Sequence, residues 1–269
     1  MKTFLLTLLT LTVAFACGRH HNQDTNPHQD SPHHIIYNGV EATEGFAPYI
    51  VRMYLKHVNG SSADCVGSII GDSWIVTAAR CLRHKSYAVI YYGSNNRRSN
   101  IKHKVPKENF ILHERSGDRP NYSHNIGLIR TPWPIEFSDK IAKIALPQFG
   151  DRYERIERRK FPGPMVCGWG PTMYTHRPQR LQCAKVPIIS NEECDRQMHF
   201  KARQITNDEV FCSGLQRGES TCRGDSGAPF IDNNALVGIA SFGGCGRFSG
   251  YVRVSHFLDW IYDRTGTPL

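Results

Sequence analysis

From Ile36 onward the apolar residues come in short runs, such as Ser68-Ile69-Ile70 and Tyr87-Ala88-Val89-Ile90-Tyr91-Tyr92, separated by Gly, Pro, Asn and Ser. Short runs rich in Val, Ile, Tyr and Phe and bounded by turn formers are strand signals. No long stretch repeats its apolar residues at helical spacing until Ser255-His256-Phe257-Leu258-Asp259-Trp260-Ile261-Tyr262. There they recur three and four positions apart, after a serine suited to capping. The pattern predicts an all-β body closed by one C-terminal helix over about 255–264.

Two stretches before Ile36 read differently. Residues 1–16 carry one early lysine, an apolar run and then Ala14-Phe15-Ala16, a small-x-small cleavage site, which is the layout of a secretory signal peptide. Residues 17–35 are rich in His, Asn, Gln, Asp and Pro and have almost nothing to bury. Their histidines (His20, His21, His28, His33, His34) lack the ligand spacing of a structural zinc site, so the segment reads as a solvated, propeptide-like stretch. No second apolar run approaches the roughly 20 residues a membrane-spanning helix needs, so no membrane span is expected and the protein is expected outside the cell.

With 269 residues, 40% hydrophobic and 21% charged, the chain can bury a proper core, which argues against disordered and fibrous architectures. An oxidising compartment lets its nine cysteines pair. Cys17 lies at the expected cleavage point, and the other eight allow about a hundred pairings, which the sequence alone leaves open.

Six segments then occur in a telling order. Ile36-Tyr37-Asn38-Gly39 looks like a new N-terminus made by activation, Trp74-Ile75-Val76-Thr77-Ala78-Ala79-Arg80-Cys81 like a catalytic histidine motif, and Asn125-Ile126-Gly127-Leu128-Ile129 like an aspartate motif. Cys167-Gly168-Trp169-Gly170 follows, then the nucleophile motif Gly224-Asp225-Ser226-Gly227-Ala228-Pro229 and the strand Ser241-Phe242-Gly243. Together they resemble the trypsin/chymotrypsin family of serine proteases. The resemblance implies two six-stranded antiparallel β-barrels within residues 36–269, the first over about 36–147 and the second over about 162–254. It also implies the pairs Cys65–Cys81, Cys167–Cys183, Cys194–Cys212 and Cys222–Cys245.

At the two positions that matter most for chemistry the chain departs from that family. The family's serine gives its proton to a neutral imidazole that a buried carboxylate orients. Here Arg80 stands at the histidine position and Asn125 at the aspartate position. A guanidinium stays protonated and has no acceptor lone pair, so it cannot be the general base. Ser226 remains, as does Gly224, and the resemblance implies that their backbone N–H groups form a vestigial oxyanion hole. His124 and His84 are the candidate substitute bases.

Further departures follow. Ile35 precedes the activation site where a basic residue is usual, although Asp225 is kept as partner for a freed Ile36 ammonium. Ser220 stands at the specificity-pocket floor, the spacings between Ser241, Cys245 and Gly250 are short, and Val66 and Ala228 replace usual glycines, adding bulk near the cleft. The reading is a pseudoenzyme with no catalytic residue at work, and the alternative is a serine hydrolase with residual or unusual activity through Ser226.

Charge bears on partners. The chain carries +9, and losing residues 1–35 removes two cations and two acids, so the balance holds. Clusters lie at Arg97, Arg98, Lys102, Lys104 and Lys107, and at Arg152, Arg155, Arg158, Arg159 and Lys160, the second diluted by Glu154 and Glu157. Such patches suit polyanions or acidic proteins. Asn59 and Asn121 head glycosylation sequons. No nucleic-acid motif, metal site or cofactor site is found. Among inactive homologues the chain resembles the inactivated paralogues of mite group 3 allergens, with Asp232 where a cysteine often follows the nucleophile motif. That resemblance implies extracellular protein partners such as host-defence or complement components.

Overall fold

The hairpin Ile50–His57 (β2) and Ser62–Gly71 (β3) shows how the pattern becomes structure. Ile50, Val51, Met53 and Leu55 are buried, and so are the last seven residues of β3. The strands pair from Ile50 opposite Ser68 to Lys56 opposite Ser62. Their turn holds Gly60 at φ +88°, a conformation glycine adopts without strain. This computed structural model describes residues 36, 39–117, 123–148, 163–197, 209–214 and 218–266. The expected signal peptide 1–16, the segment 17–35, Asn121 and the cluster Arg152, Arg155, Arg158, Arg159 and Lys160 lie outside the described residues.

Around that hairpin stand Trp74–Thr77 (β4), Lys85–Tyr91 (β5), Lys102–Pro106 (β6), Phe110–Leu112 (β7) and Gly127–Arg130 (β8). They form one antiparallel sheet ordered β6-β5-β2-β3-β4-β8-β7. The second sheet contains Val40–Glu41 (β1), Met165–Gly168 (β9), Gln182–Lys185 (β10), Ile188–Ile189 (β11), Val210–Ser213 (β12), Pro229–Asp232 (β13), Ala235–Gly243 (β14) and Ser249–Arg253 (β15). Its order is β1-β10-β9-β13-β14-β15-β12-β11, again antiparallel throughout. The architecture is all-β, as expected, in two curled sheets.

One boundary differs from expectation. The described sheets contain seven and eight strand segments. The N-terminal strand β1 belongs to the second sheet, pairing Val40 with Cys183 and Glu41 with Gln182, so the first barrel does not begin at Ile36. Its residues carry too little apolar pattern to declare a partner. The closing helix Leu258–Thr265 (α3) starts later than expected, because Ser255 lies inside a 3₁₀ turn, Val254–Phe257, and caps nothing. Gly266 ends it at φ +62°, its N–H donating to the Tyr262 carbonyl at 2.8 Å.

Two further helices, Ala79–Leu82 (α1) and Asn191–Gln197 (α2), were not expected. α2 did carry a signal. Ser190-Asn191-Glu192-Glu193 is a capping-box sequence, and the Ser190 Oγ accepts the Glu193 N–H at 3.2 Å.

One hydrophobic cluster runs through both sheets, from Val51, Met53, Leu55, Ile75 and Ile90 to Phe211, Phe230 and Tyr251. Val66 and Ala228, expected to add bulk near the cleft, are fully buried in this core, and the Val66 N–H donates to the Ser226 carbonyl. The disulfides join Cys65 to Cys81, Cys167 to Cys183, Cys194 to Cys212 and Cys222 to Cys245. The first anchors α1 to β3, and the last ties the Ser226 turn to the segment after β14. Among the described residues no helix is long and apolar enough to cross a membrane.

Candidate functional site

Antiparallel pairing brings three distant motifs together. β4 and β8 are neighbours with Thr77 opposite Gly127, so the chain just after β4 and the chain just before β8 emerge side by side. The Arg80 N–H there donates to the Asn125 Oδ1 at 2.9 Å. From the second sheet, the end of β14 supplies Ser241, whose Oγ accepts from the Asn125 Nδ2 at 2.8 Å. The Arg80 guanidinium crosses between the sheets. Its Nη1 donates to the Ser241 carbonyl at 2.7 Å, and its Nη2 donates to the Ser226 Oγ in a short contact.

The Ser226 turn is pinned from below. The Val66 N–H donates to the Ser226 carbonyl at 2.9 Å, and Gly227 sits at φ +84°. A Cβ on Gly227 would collide with the Val66 carbonyl and the Thr77 Oγ1, which themselves share a 2.7 Å hydrogen bond. Gly224 is at φ +97°, and neither its N–H nor that of Ser226 finds an acceptor among the described residues. The cavity over this turn measures about 50 Å³ and is lined by Arg80, Thr221, Arg223, Ser226, Phe242 and Gly243 among others. Ligand pockets of small-molecule size run to about 300 Å³ or more.

Ser220, expected at the pocket floor, does not line this cavity. It is fully buried, and its Oγ accepts the Gly246 N–H at 2.8 Å. Beside it the Thr221 N–H and Oγ1 meet the Ser249 Oγ at 3.0 and 2.9 Å. This seryl–threonyl clasp had no local signal, because its partners are far apart in the chain.

Asp225 is fully buried. Loss of solvent raises its pKa from 3.8 to about 6, opposed chiefly by the N–H groups of Cys222 and Gly170. These donate to its carboxylate oxygens at 2.9 and 2.6 Å. Gly168 and Gly170 are required there, since a Cβ on either would overlap the Asp225 carboxyl. In the uncut chain these backbone amides hold Asp225, while Ile36 is buried and its carbonyl accepts the Gly39 N–H.

Neither candidate base faces Ser226, whose Oγ has Arg80 as its partner. His124, at φ +53°, places its Nε2 3.2 Å from the Glu209 Oε1 and its ring 4.8 Å from that of His113 and 5.8 Å from that of Phe257. His84 lies 6.0 Å from the His57 ring on the hairpin side. Burial lowers the pKa of both His113 and His124, for His124 against the opposing pull of Glu209. The unfolded chain therefore binds protons more readily at these positions. Their stabilising effect is complete above the unfolded value of about 6.5 and is lost as pH falls below it toward the folded values. The variant His124→Asn keeps a residue tolerant of positive φ but removes one titration. Its melting temperature is expected to fall less than that of wild type between pH 7.5 and 5.5; an identical fall would contradict this assignment.

Arg97, expected in a surface basic cluster, is instead largely buried. Its Nη2 lies 2.5 Å from the Asp64 Oδ2, its Nη1 donates to the Trp169 carbonyl at 2.9 Å, and Asp64 also pairs with Arg52. Burial lowers the Arg97 pKa, with Asp64 opposing. Lys102 and Lys104 do lie exposed on β6, an edge strand where lysine also deters strand addition. Removing Asp64 would leave two arginines facing each other out of bulk water. Asp64→Ala is expected to destabilise by about 2–3 kcal/mol, somewhat below the range for a fully buried pair, as read from denaturant melts.

Two curled antiparallel sheets that meet over a Gly-Asp-Ser-Gly turn define the class of chymotrypsin-like serine protease homologues. The family model described as Trypsin matches residues 36–261, and the chain belongs to that family. It is 38% identical over 242 residues to Serine protease 1 of Drosophila melanogaster, covering 86% of each chain. It is 31% identical to Anionic trypsin of Canis lupus familiaris, over 84% of this chain and 87% of the relative. The same identity relates it to Collagenase of Hypoderma lineatum, over 86% of this chain and 87% of the relative. A solved structure of HL collagenase superposes with a TM-score of 0.77 at 30% identity, covering 87% of this chain and all of that one.

Proposed function

We propose that this member of the family is a secreted protein without proteolytic activity, acting by binding other extracellular proteins. The observation that carries the reading is the guanidinium of Arg80 donating to the Ser226 Oγ where the reaction needs a proton acceptor. A nearby cation favours an alkoxide, yet it offers no lone pair to take the proton, and its N–H engages one of the two lone pairs of the oxygen that would attack. Asn125 is neutral and spends its side chain on the Arg80 backbone and Ser241. The cavity of about 50 Å³, small beside ligand pockets of about 300 Å³ or more, supports the same reading. Host-defence or complement proteins, suggested by the mite resemblance, are the partners to screen first.

The test is digestion of a diverse peptide library by the purified chain. No cleavage is expected beyond that of Ser226→Ala. Cleavage that disappears in Ser226→Ala would replace this reading with that of an unusual hydrolase.

A further inference from the structure

The groups around Ser226 are poorly arranged for proton transfer but well arranged for holding an anion. The cavity is lined by Arg80 and Arg223, and by no acidic side chain among the described residues. The acid nearest in sequence, Asp225, is fully buried with its oxygens turned to the Gly170 and Cys222 amides. At the mouth of the turn the N–H groups of Gly224 and Ser226 lack acceptors among the described residues. Gly224, at φ +97°, stands in a tight turn whose middle amide, that of Asp225, donates to the Cys222 carbonyl at 3.1 Å, leaving the amides on either side of it without such a partner.

Ser226 changes role in this setting. A hydroxyl that accepts a hydrogen bond from Arg80 still has its own proton to donate. The same oxygen that would be the nucleophile becomes one more donor facing the cavity. Arg80 is itself held by the Ser241 carbonyl at 2.7 Å, which fixes its charge at the edge of the concavity. The result is a small, positively charged recess with hydrogen-bond donors at its wall and rim.

Size and charge narrow the ligand. A cavity of about 50 Å³, where about 10–15 Å³ on the same measure holds one water, has room for a group of a few heavy atoms. A planar, singly charged group with two oxygens matches one guanidinium on one side and the amide pair on the other. Resting on the non-catalytic reading above, we propose that the remodelled cleft is a receptor for a carboxylate group. One carboxylate oxygen sits on the Gly224 and Ser226 N–H groups, and the other on Arg80 and the Ser226 hydroxyl. Arg223, exposed on the rim, draws the group in. The carboxylate comes from a peptide C-terminus or from an acidic side chain, and the chemistry at the recess is the same for both.

The test measures binding to the purified full chain by calorimetry. The probes are three libraries of N-acetylated hexapeptides: free C-terminal acids, the same sequences amidated, and amidated sequences with one internal glutamate. At least tenfold tighter binding of either carboxylate-bearing library than of the plain amides is expected, and whichever of the two binds identifies the source. Arg80→Gln, which keeps a donor without the charge, should remove at least tenfold of that preference, and Ser226→Ala a smaller part. Melting temperatures near that of wild type would show that both variants fold. Equal affinity for acids and amides, or a preference untouched by Arg80→Gln, overturns the proposal. Incubation with a fluorophosphonate separates this outcome from failure of the underlying reading. An adduct at Ser226 accompanied by peptide cleavage would sink the non-catalytic reading, whereas no adduct and no acid preference would sink only the carboxylate receptor.

Discussion

The double variant Arg80→His/Asn125→Asp is expected to acylate at Ser226 at least a hundred times faster than wild type when exposed to a fluorophosphonate, as followed by intact mass. A positioned general base contributes about 10²–10⁴-fold, and this chain already has the scaffold to position one. The backbone N–H at position 80 meets the side chain at position 125 at 2.9 Å, and the side chain at position 80 already reaches the Ser226 Oγ. A carboxylate at 125 would accept from that N–H and from the Ser241 hydroxyl, leaving it placed to orient an imidazole. Arg80→His alone should recover only a small part, since with Asn125 the imidazole lacks the acceptor that fixes its tautomer. A double variant no faster than wild type would move the block away from positions 80 and 125 and into the Ser226 turn itself.

Gly227→Ala is expected to have the largest effect on folding. The new Cβ would run into the Val66 carbonyl and the Thr77 Oγ1, both in strands of the first sheet, at a residue held at φ +84°. Positive φ costs a non-glycine residue about 1–3 kcal/mol, and overpacking a rigid contact costs about as much again. Because the contact joins the Ser226 turn of the second sheet to the core of the first, the turn cannot shift alone. A drop in melting temperature of about 10 °C or more is expected for a chain of this size. A melting temperature within a degree or two of wild type would show that the turn relaxes freely, and the account of how Ser226 is fixed would be wrong.

Much of this was legible in the sequence because the residues that make it so are local and ordered. Short Val- and Ile-rich runs between turn formers became strands, and the run of motifs from Trp74 to Ser241 predicted which segments meet around Ser226. The chemistry at Arg80 and Asn125 could be read from residue type alone, since a guanidinium cannot be a base in any surroundings. What escaped depended on partners remote in the chain. The burial of Arg97 depends on Asp64 and Arg52 from the β2–β3 hairpin, so a residue that looks like a surface cation is an internal one. β1 joins the second sheet through two residues whose pattern names no partner. The Thr221–Ser249 clasp and the use of Ser241 to hold both Asn125 and Arg80 likewise require the fold. The α2 helix is the exception, for its capping box could have been read.

The most direct measurement of the central claim is the intact mass of the purified wild-type chain after long incubation with a serine-reactive fluorophosphonate, with Ser226→Ala alongside. The account predicts that neither protein gains mass, with no adduct at Ser226, because the Arg80 guanidinium donates to its oxygen and accepts nothing from it. A stoichiometric adduct on wild type that is absent from Ser226→Ala would contradict it.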